Sequence, residues 1–197
     1  ANLTAWTGVD ALTHALEAYL VPQLNPLCDG AALEALKLIS KWLKVAFDEP
    51  KNINARGGML IGSCMAGVAF TKGLGLVHSI SHMIGAEYNT QHGLTNAIIL
   101  PAVMKFNLPH VGEKVRFVSS AMDLKDASTD VIIKEIEQIL DYVDIPRSLS
   151  EIGVPLECKK RIAKKAMLDS ATGTNPRVAK IKDVEELTEI SILSARS

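Results

Sequence analysis

Hydrophobic residues recur along this chain at the intervals of an amphipathic α-helix. The clearest stripe has spacings of three or four residues, the pattern of a helix that buries one face, and comprises Leu33, Leu36, Ile39, Leu43 and Ala46. Elsewhere the pattern is carried mostly by Ala, Leu, Met, Glu and Lys, which have high helix propensity. No β-branched run shows the clean alternation of a half-buried strand. The sequence therefore predicts an all-α fold, a helical bundle.

Turn residues and capping residues divide this pattern into separate helices. The first predicted helix starts at Thr7 or Gly8 and ends at about residue 20, before two prolines. Asp29 has the residue type and position of an N-cap for the second helix. The predicted helices that follow span residues 31–47, 52–70, a segment with His78 and His82, and then 94–105, 112–121, 129–143, 157–170 and 182–193. Residues 96–103 fit a buried helix or a buried strand, because short apolar runs look alike in both.

The third predicted helix is unusually rich in small residues, among them Gly58, Gly62, Ala66 and Ala69. Side chains of this size let another backbone approach closely. We therefore expect this helix to lie at the centre of the bundle, tightly packed on its neighbours.

Length and composition favour a single globular domain without a nucleic-acid or membrane partner. The 197 residues are 48% hydrophobic and carry 21 basic against 22 acidic side chains, and one domain typically has about 100 to 200 residues. No basic cluster with interleaved aromatic residues indicates nucleic-acid binding. No apolar run reaches the roughly 18 to 20 residues of a membrane span, and the first residues lack the pattern of a signal peptide.

The cysteines favour a reducing, cytoplasmic environment. Cys28, Cys64 and Cys158 are odd in number, widely spaced and without a CxxC pair, so they indicate neither a disulfide framework nor a zinc ribbon. Cys64 has no histidine or basic residue beside it in sequence to activate a thiolate. We expect it to be a small, buried hydrophobic residue.

The histidines are the strongest indication of chemistry in this sequence. His78, His82 and His92 fall within fifteen residues, and His14 follows Asp10 by four. Residues four apart on a helix lie on the same face, so Asp10 and His14 can converge, and so can His78 and His82. Imidazole is a preferred ligand of first-row metals and a common proton-transfer group near neutral pH.

Each of these pairs, taken alone, has a less specific explanation. An Asp/His pair four residues apart is usually a hydrogen bond on a helix surface, and the HxxxH spacing of His78 and His82 lacks the glutamate of the HExxH motif. Together, however, one carboxylate and four imidazoles in two short segments favour a metal site. His110, which follows Pro109, lies apart from them in sequence and is expected to be a surface residue.

The segments that carry these residues also resemble a known family. Residues 8–19 read GVDALTHALEAY, residues 73–82 read GLGLVHSISH, and His92-Gly93 follows. These blocks, together with Asn175-Pro176-Arg177 near the end, resemble the iron-containing (group III) alcohol dehydrogenases. The resemblance extends over essentially the whole chain, and its paired motifs are highly specific.

The resemblance implies a fold and a domain organisation. Members of the family have an N-terminal α/β domain, whose Gly-Gly-Ser loop binds the nicotinamide dinucleotide, and an all-helical C-terminal domain that holds the metal. Residues 1–197 would form the second of these, the C-terminal domain of a dehydroquinate synthase-like, iron-type alcohol dehydrogenase fold. The sequence shows no strand followed by a glycine loop. We therefore expect the N-terminal nucleotide-binding domain to be absent from this chain.

The resemblance also implies roles for the clustered residues. Asp10, His14, His78 and His92 would be the four metal ligands, with Fe²⁺ as the expected ion and Zn²⁺ as the alternative. His82 would be a catalytic residue and not a ligand, located near the nicotinamide and the substrate. There it could relay the alcohol proton to solvent.

The activity implied is that of a metal-dependent, NAD(P)-linked alcohol dehydrogenase or aldehyde reductase. A hydride would pass between a small alcohol or aldehyde and NAD or NADP, while the metal binds the substrate oxygen. Phe70, at the end of the small-residue helix, is expected either to line the substrate channel or to belong to the core. The full-length enzyme would be a homo-oligomer, and this part alone would be inactive.

Two alternatives remain open at this point. Another enzyme of the same superfamily, such as a glycerol dehydrogenase or a hydroxyacid-oxoacid transhydrogenase, would share the fold and much of the site. A helical metal-binding module without catalysis is the alternative from a different class. Substrate profiling of the full-length protein distinguishes the first, and a Gly-Gly-Ser nucleotide loop upstream would favour the enzyme over the second.

Overall fold

The computed structural model describes residues 2–196, and within that range the chain is all-α, as the sequence predicts. The described part of the chain contains no strand, and short 3₁₀ turns connect several of the helices. The α-helices found there are α1 (Asn2–Leu20), α2 (Pro26–Asp48), α3 (Ile53–Ala69), α4 (Leu76–Tyr88), α5 (His92–Asn107), α6 (Lys114–Ala121), α7 (Thr129–Tyr142), α8 (Lys159–Ala166) and α9 (Ile181–Leu193).

Helices α1 and α5 form the centre of the bundle. α1 packs against α2, α3 and α5, and the side chains of Val9 and Leu16 on α1 have no exposed surface. α5 is buried continuously from Gly93 to Met104. Burial on all sides explains why residues 96–103 lack an amphipathic period, and this ambiguous segment is helical. These two central helices carry three of the four candidate metal ligands: Asp10 and His14 on α1, and His92 on α5.

The expectation that the small-residue helix lies at the centre of the bundle is wrong. α3 does pack tightly on α2, since a Cβ added at Gly58 would overlap the Trp42 ring. Its opposite face, however, exposes four large apolar side chains, those of Ile53, Leu60, Ile61 and Val68. Small residues determine how closely two helices approach, and they do not determine how many neighbours surround a helix.

The start of α2 differs from the prediction because a different residue caps it. The helix begins at Pro26, and the Asn25 side-chain oxygen accepts the Cys28 N–H at 3.2 Å. Asp29, the predicted cap, lies in the first turn of the helix, where its Oδ1 is 2.5 Å from the Nζ of buried Lys72. Asp29 therefore forms a tertiary ion pair in place of a local cap.

The other predicted helix bounds agree with the structure to within a few residues, except at two ends. α1 begins at Asn2 and not at Thr7, and α8 ends at Ala166, short of the predicted end near residue 170. A short 3₁₀ helix, Ser170–Thr174, begins where the predicted helix was expected to end.

A lysine from another helix fixes the C-terminal end of α1. The Lys114 Nζ donates to the backbone oxygens of Tyr19 and Val21 at 2.7 and 2.8 Å. These contacts satisfy carbonyl groups that a helix end leaves without an intrahelical partner. Burial, followed by the nearby Lys72 ammonium, lowers the pKa of Lys114. The helix that carries Asp10 is thus held at its far end by a contact outside its own sequence.

Among residues 2–196, no individual helix combines the length and the apolar character needed to cross a membrane. The stretches 53–72 and 76–88 meet that test only when they are combined across a bend of 100°.

Candidate metal centre

The first pair of candidate ligands lies on α1, one turn apart. The His14 Nδ1 donates to the Asp10 backbone oxygen at 2.8 Å, so Nε2 is the ring nitrogen left for a ligand. The side chains of Asp10 and His14 are 22% and 20% exposed. Both side chains therefore reach the surface while remaining mostly shielded from water.

The second group of candidates comes from α4 and from the start of α5. His78 and His82 lie one turn apart on α4, and His92 is the first residue of α5. Asn89 ends α4 in the left-handed conformation, with φ 52°, and Gln91 caps the N-terminus of α5 with its side-chain oxygen. This short connection brings the rings of His78 and His92 to a centroid separation of 5.4 Å.

The structure brings the four predicted ligands, Asp10, His14, His78 and His92, to one place. From the Asp10 Oδ1, the His92 Nε2 is 3.6 Å away and the His78 Nε2 is 4.0 Å away. One ligand atom each of Asp10, His14 and His78 lie within 4.8 Å of one another. Ligands about 2.0 to 2.2 Å from a shared ion are roughly 3 to 4 Å apart. The spacing is therefore compatible with a common cation.

The donor set at the centre of this cluster also fits a cation. The Asn96 Nδ2 lies 2.7 Å from the Asp10 Oδ1, 3.1 Å from the His78 Nε2 and 3.0 Å from the His92 Nε2. One amide has two N–H groups, so it cannot donate to all three atoms at once. The Asn96 Oδ1 is buried and has no hydrogen-bond partner among the described residues. A divalent ion bound by these imidazoles and this carboxylate would use the lone pairs to which the Asn96 amide cannot donate.

The surroundings of the cluster favour neutral imidazoles. Burial lowers the pKa of His14 below its usual value, and the neighbouring His78 lowers it further. Burial also lowers the pKa of His92, an effect that the Asp10 carboxylate partly opposes. Because a metal binds the lone pair of a neutral imidazole, both shifts favour metal binding over protonation near neutral pH.

His82 lies beside this cluster, but a different carboxylate holds it. Its Nδ1 is 2.9 Å from the Asp169 Oδ2, and the Asp169 Oδ1 accepts the Ala171 N–H at 2.9 Å. The His82 ring stacks on that of His92 with centroids 5.6 Å apart. Its side chain is 40% exposed, so His82 borders the candidate ligands and also contacts solvent.

Phe70 lies at the surface beside the same cluster. It is 44% exposed, and its ring centroid is 5.5 Å from that of His14. It also lines a cavity of about 280 Å³ together with His82, Leu74 and Thr174. The expectation that Phe70 belongs to the core is therefore wrong, and its role in lining a substrate channel stays a prediction.

Two further candidates lie away from the cluster. His110 is exposed, as expected for a surface residue. Cys64 is exposed as well, so the expectation that it is a buried hydrophobic residue is wrong. It lies on the exposed side of α3.

Sequence reasoning misses three polar residues that contact the cluster: Glu17, Asn96 and Asp169. Glu17 follows His14 by three residues on α1, and Asn96 follows His92 by four on α5. Helical spacing would place both on the faces that carry the ligands. Asp169 reaches His82 from the segment after α8, and no local pattern in the sequence relates the two.

Comparisons with known proteins agree with this fold. The chain matches the family described as Fe-containing alcohol dehydrogenase, C-terminal, over residues 4–192. It is 40% identical to the NAD-dependent methanol dehydrogenase of Bacillus methanolicus over 95% of this chain and 51% of that protein. It is 37% identical to the lactaldehyde reductase of Escherichia coli K12 over 94% of this chain and 50% of that protein.

A solved structure of a 1,3-propanediol oxidoreductase superimposes with a TM-score of 0.92 and 34% identity, covering 97% of this chain and 52% of that one. The chain thus spans about half the length of the curated relatives that it matches.

Proposed function

The chain belongs to the iron-containing alcohol dehydrogenase family, and we propose that it is the metal-binding part of a metal-dependent, NAD(P)-linked alcohol dehydrogenase or aldehyde reductase. The observation that carries the proposal is the convergence of the Asp10 carboxylate with the imidazoles of His14, His78 and His92. Family membership supports the general reaction, because the matched relatives are oxidoreductases of alcohols and aldehydes.

The four converging side chains would hold the ion, Fe²⁺ by family resemblance or Zn²⁺ as the alternative. A divalent ion bound there supplies a Lewis acid that withdraws electron density from an alcohol or carbonyl oxygen. Asp10 contributes the negative charge of the ligand set, whereas neutral imidazoles add donors without adding charge. Asn96 donates to the Asp10 Oδ1 at 2.7 Å and so orients that carboxylate.

His82 would exchange the proton that alcohol oxidation releases. A proton relay must border the site and contact solvent, and His82 stacks on His92 while its side chain is 40% exposed. The carboxylate of Asp169 accepts from Nδ1, which leaves Nε2 as the nitrogen that takes up or releases a proton. Phe70, next to His14 and His82, would line the path of the substrate.

The substrate in this proposal is a small alcohol or aldehyde, and the hydride carrier is NAD or NADP. Methanol and lactaldehyde appear in the names of the relatives, and both are small molecules. The nicotinamide supplies the hydride chemistry. The described residues contain no strand from which a pyrophosphate-binding loop could lead, so the nucleotide would be held mainly by another domain. We expect the whole enzyme to act in the cytoplasm as a homo-oligomer.

Two alternatives differ in how well they are supported. A glycerol dehydrogenase or a hydroxyacid-oxoacid transhydrogenase of the same superfamily would use much of the same site, and substrate profiling of the full-length enzyme distinguishes these activities. A helical metal-binding module without catalysis is disfavoured, because the matched relatives are oxidoreductases.

Metal content tests the proposed centre directly. The 197-residue chain, loaded with Fe²⁺ under anaerobic conditions or with Zn²⁺ and then freed of excess ion, should retain about one ion per chain. His14→Ala and His78→Ala each remove a donor, so each variant should bind the ion at least about 10-fold more weakly.

His110→Ala is the matched control, because it removes an imidazole that is exposed and lies outside the cluster. It should retain as much metal as the wild type. A wild-type chain that retains no ion, or an equal loss of metal in all three variants, would contradict the proposed centre.

A further inference from the structure

Glu17 is a buried carboxylate that the ligand set does not include. It lies on α1 three residues after His14, and its side chain is 1% exposed, as is that of His78. The Glu17 Oε2 is 2.6 Å from the His78 Nδ1. The Glu17 Oε1 accepts the Val77 N–H at 2.8 Å. Both oxygens of this carboxylate are therefore engaged by α4.

The contact with Glu17 fixes which nitrogen of His78 carries the proton. An ionised carboxylate only accepts hydrogen bonds, so the His78 proton in this contact resides on Nδ1 and the lone pair on Nε2. Nε2 is the atom that lies 4.0 Å from the Asp10 Oδ1 and 3.1 Å from the Asn96 Nδ2. The lone pair of His78 thus belongs to the nitrogen on the side of the candidate metal centre.

The surroundings of the Glu17 carboxylate can compensate a negative charge. Val77 lies in the first turn of α4, where the free N–H groups and the helix dipole stabilise a negative charge. An isolated buried charge is costly unless it is compensated. A divalent ion on Asp10 and three neutral imidazoles has a net charge of about +1, and Glu17 would bring the total charge of this assembly close to zero.

We propose that Glu17 is a positioning residue of the metal centre. It holds the His78 ring with Nε2 as the metal-binding atom, and it balances the charge of the bound ion. This inference rests on the proposed function, since it requires the metal centre described above.

The test compares two variants of the 197-residue chain in which a carboxylate next to a histidine becomes an amide. Glu17→Gln keeps the size of the side chain, but its NH₂ group can donate to the His78 Nδ1 and so shift the ring proton to Nε2. Zn²⁺ affinity should fall by about 10- to 100-fold. Asp169→Asn, which alters the carboxylate beside the non-ligand His82, should leave Zn²⁺ affinity at the wild-type value.

Two further readouts separate positioning from a purely structural role. The visible absorption spectrum of the Co²⁺-loaded chain should change in Glu17→Gln and not in Asp169→Asn, because only the first alters a ligand's geometry. Circular dichroism and the melting temperature of the metal-free proteins report whether Glu17→Gln is folded. If it is not, Glu17→Asp keeps the charge but withdraws it from the His78 Nδ1, and it should weaken Zn²⁺ binding.

The outcomes distinguish the two proposals. Failure of the wild-type chain to bind Zn²⁺ would contradict the proposed metal centre itself. Wild-type binding together with unchanged Zn²⁺ affinity in a folded Glu17 variant would overturn only the role of Glu17. If neither Glu17 variant folds, Glu17 is a structural residue and the inference is rejected.

Discussion

Two histidines on α4 show how burial separates the tasks of one side-chain type. His78 and His82 each have a carboxylate at Nδ1, that of Glu17 and that of Asp169 respectively. The His78 side chain is 1% exposed and that of His82 is 40% exposed. A buried, oriented imidazole suits a metal ligand, whereas a proton relay needs contact with solvent. The two residues are therefore expected to respond differently to the same substitution.

We expect His82→Ala and His92→Ala to differ in metal content. His82→Ala should retain the ion at near wild-type stoichiometry, because His82 is not among the four converging side chains, while His92→Ala should lose it. In the full-length enzyme His82→Ala should lower kcat by about 10²-fold or more if His82 takes part in general acid/base catalysis. Metal analysis and rates are measured on the same preparations. Loss of metal from His82→Ala as complete as from His92→Ala would place His82 among the ligands.

At the scale of residues, the sequence predicts the converging side chains better than the groups that support them. Asp10 and His14 are easy to identify because two residue types that bind metals lie one helical turn apart. Asp169 contacts His82 across 87 positions of the chain, and no short-range pattern encodes such a contact. The helical spacing also places Glu17 on the face of α1 that carries His14, yet a glutamate on a helix is ordinarily exposed to solvent. Its burial is a property of the fold.

The close approach of α1 and α5 determines whether the candidate ligands can meet. The first turn of α5 touches α1 at Gly93, where an added Cβ would overlap the Trp6 backbone oxygen and lie 3.0 Å from the Asp10 Cβ. An overlap with a backbone atom cannot be relieved by rotating a side chain, so the helices would have to move. Gly93 therefore permits His92, its neighbour in sequence, to approach Asp10.

We expect Gly93→Ala to separate these two helices. The free energy of unfolding of the metal-free chain should fall by about 1 to 3 kcal/mol, and Zn²⁺ binding should weaken because His92 moves away from Asp10. Gly57→Ala on α3 is the matched control, since nothing lies within 4 Å of its added Cβ. Its stability should stay the same or rise by up to about 1 kcal/mol. Urea unfolding and Zn²⁺ titration measure both effects, and a Gly93→Ala chain as stable and as well metallated as the wild type would show that the close approach is not required.

At the scale of elements, periodicity predicts which residues are helical but not where a helix lies in the bundle. The small-residue face of α3 predicts close packing, which Gly58 shows, yet the other face of the helix is exposed. The start of α2 differs from the prediction for a related reason. Asn25 and Asp29 are both suitable N-cap types, and the choice between them depends on the ion pair that buried Lys72 forms with Asp29.

At the scale of the whole molecule, the chain has a core and a candidate metal centre of its own, but only about half the length of its relatives. The all-α class could be predicted because the helical period extends along almost the entire sequence. The family could be predicted because its two motifs contain aspartate and histidine, and few other residue types can bind such a metal. The choice of alcohol and of NAD or NADP could not be predicted. No motif in these residues indicates which substrate is bound or how the ribose of the nucleotide is recognised.

We expect the 197-residue chain to bind metal and yet to show no NAD(P)-linked alcohol oxidation. Hydride transfer requires the nicotinamide to be held in contact with the substrate, and the described residues contain no strand from which a pyrophosphate-binding loop could lead. The assay incubates the metal-loaded chain with methanol and other small alcohols and with NAD⁺ or NADP⁺, and it follows the reduced nucleotide. The NAD-dependent methanol dehydrogenase of Bacillus methanolicus, assayed in parallel, is the positive control. Turnover by the chain alone that disappears in His78→Ala would contradict the two-domain account, because residues 1–197 would then hold metal, substrate and nucleotide by themselves.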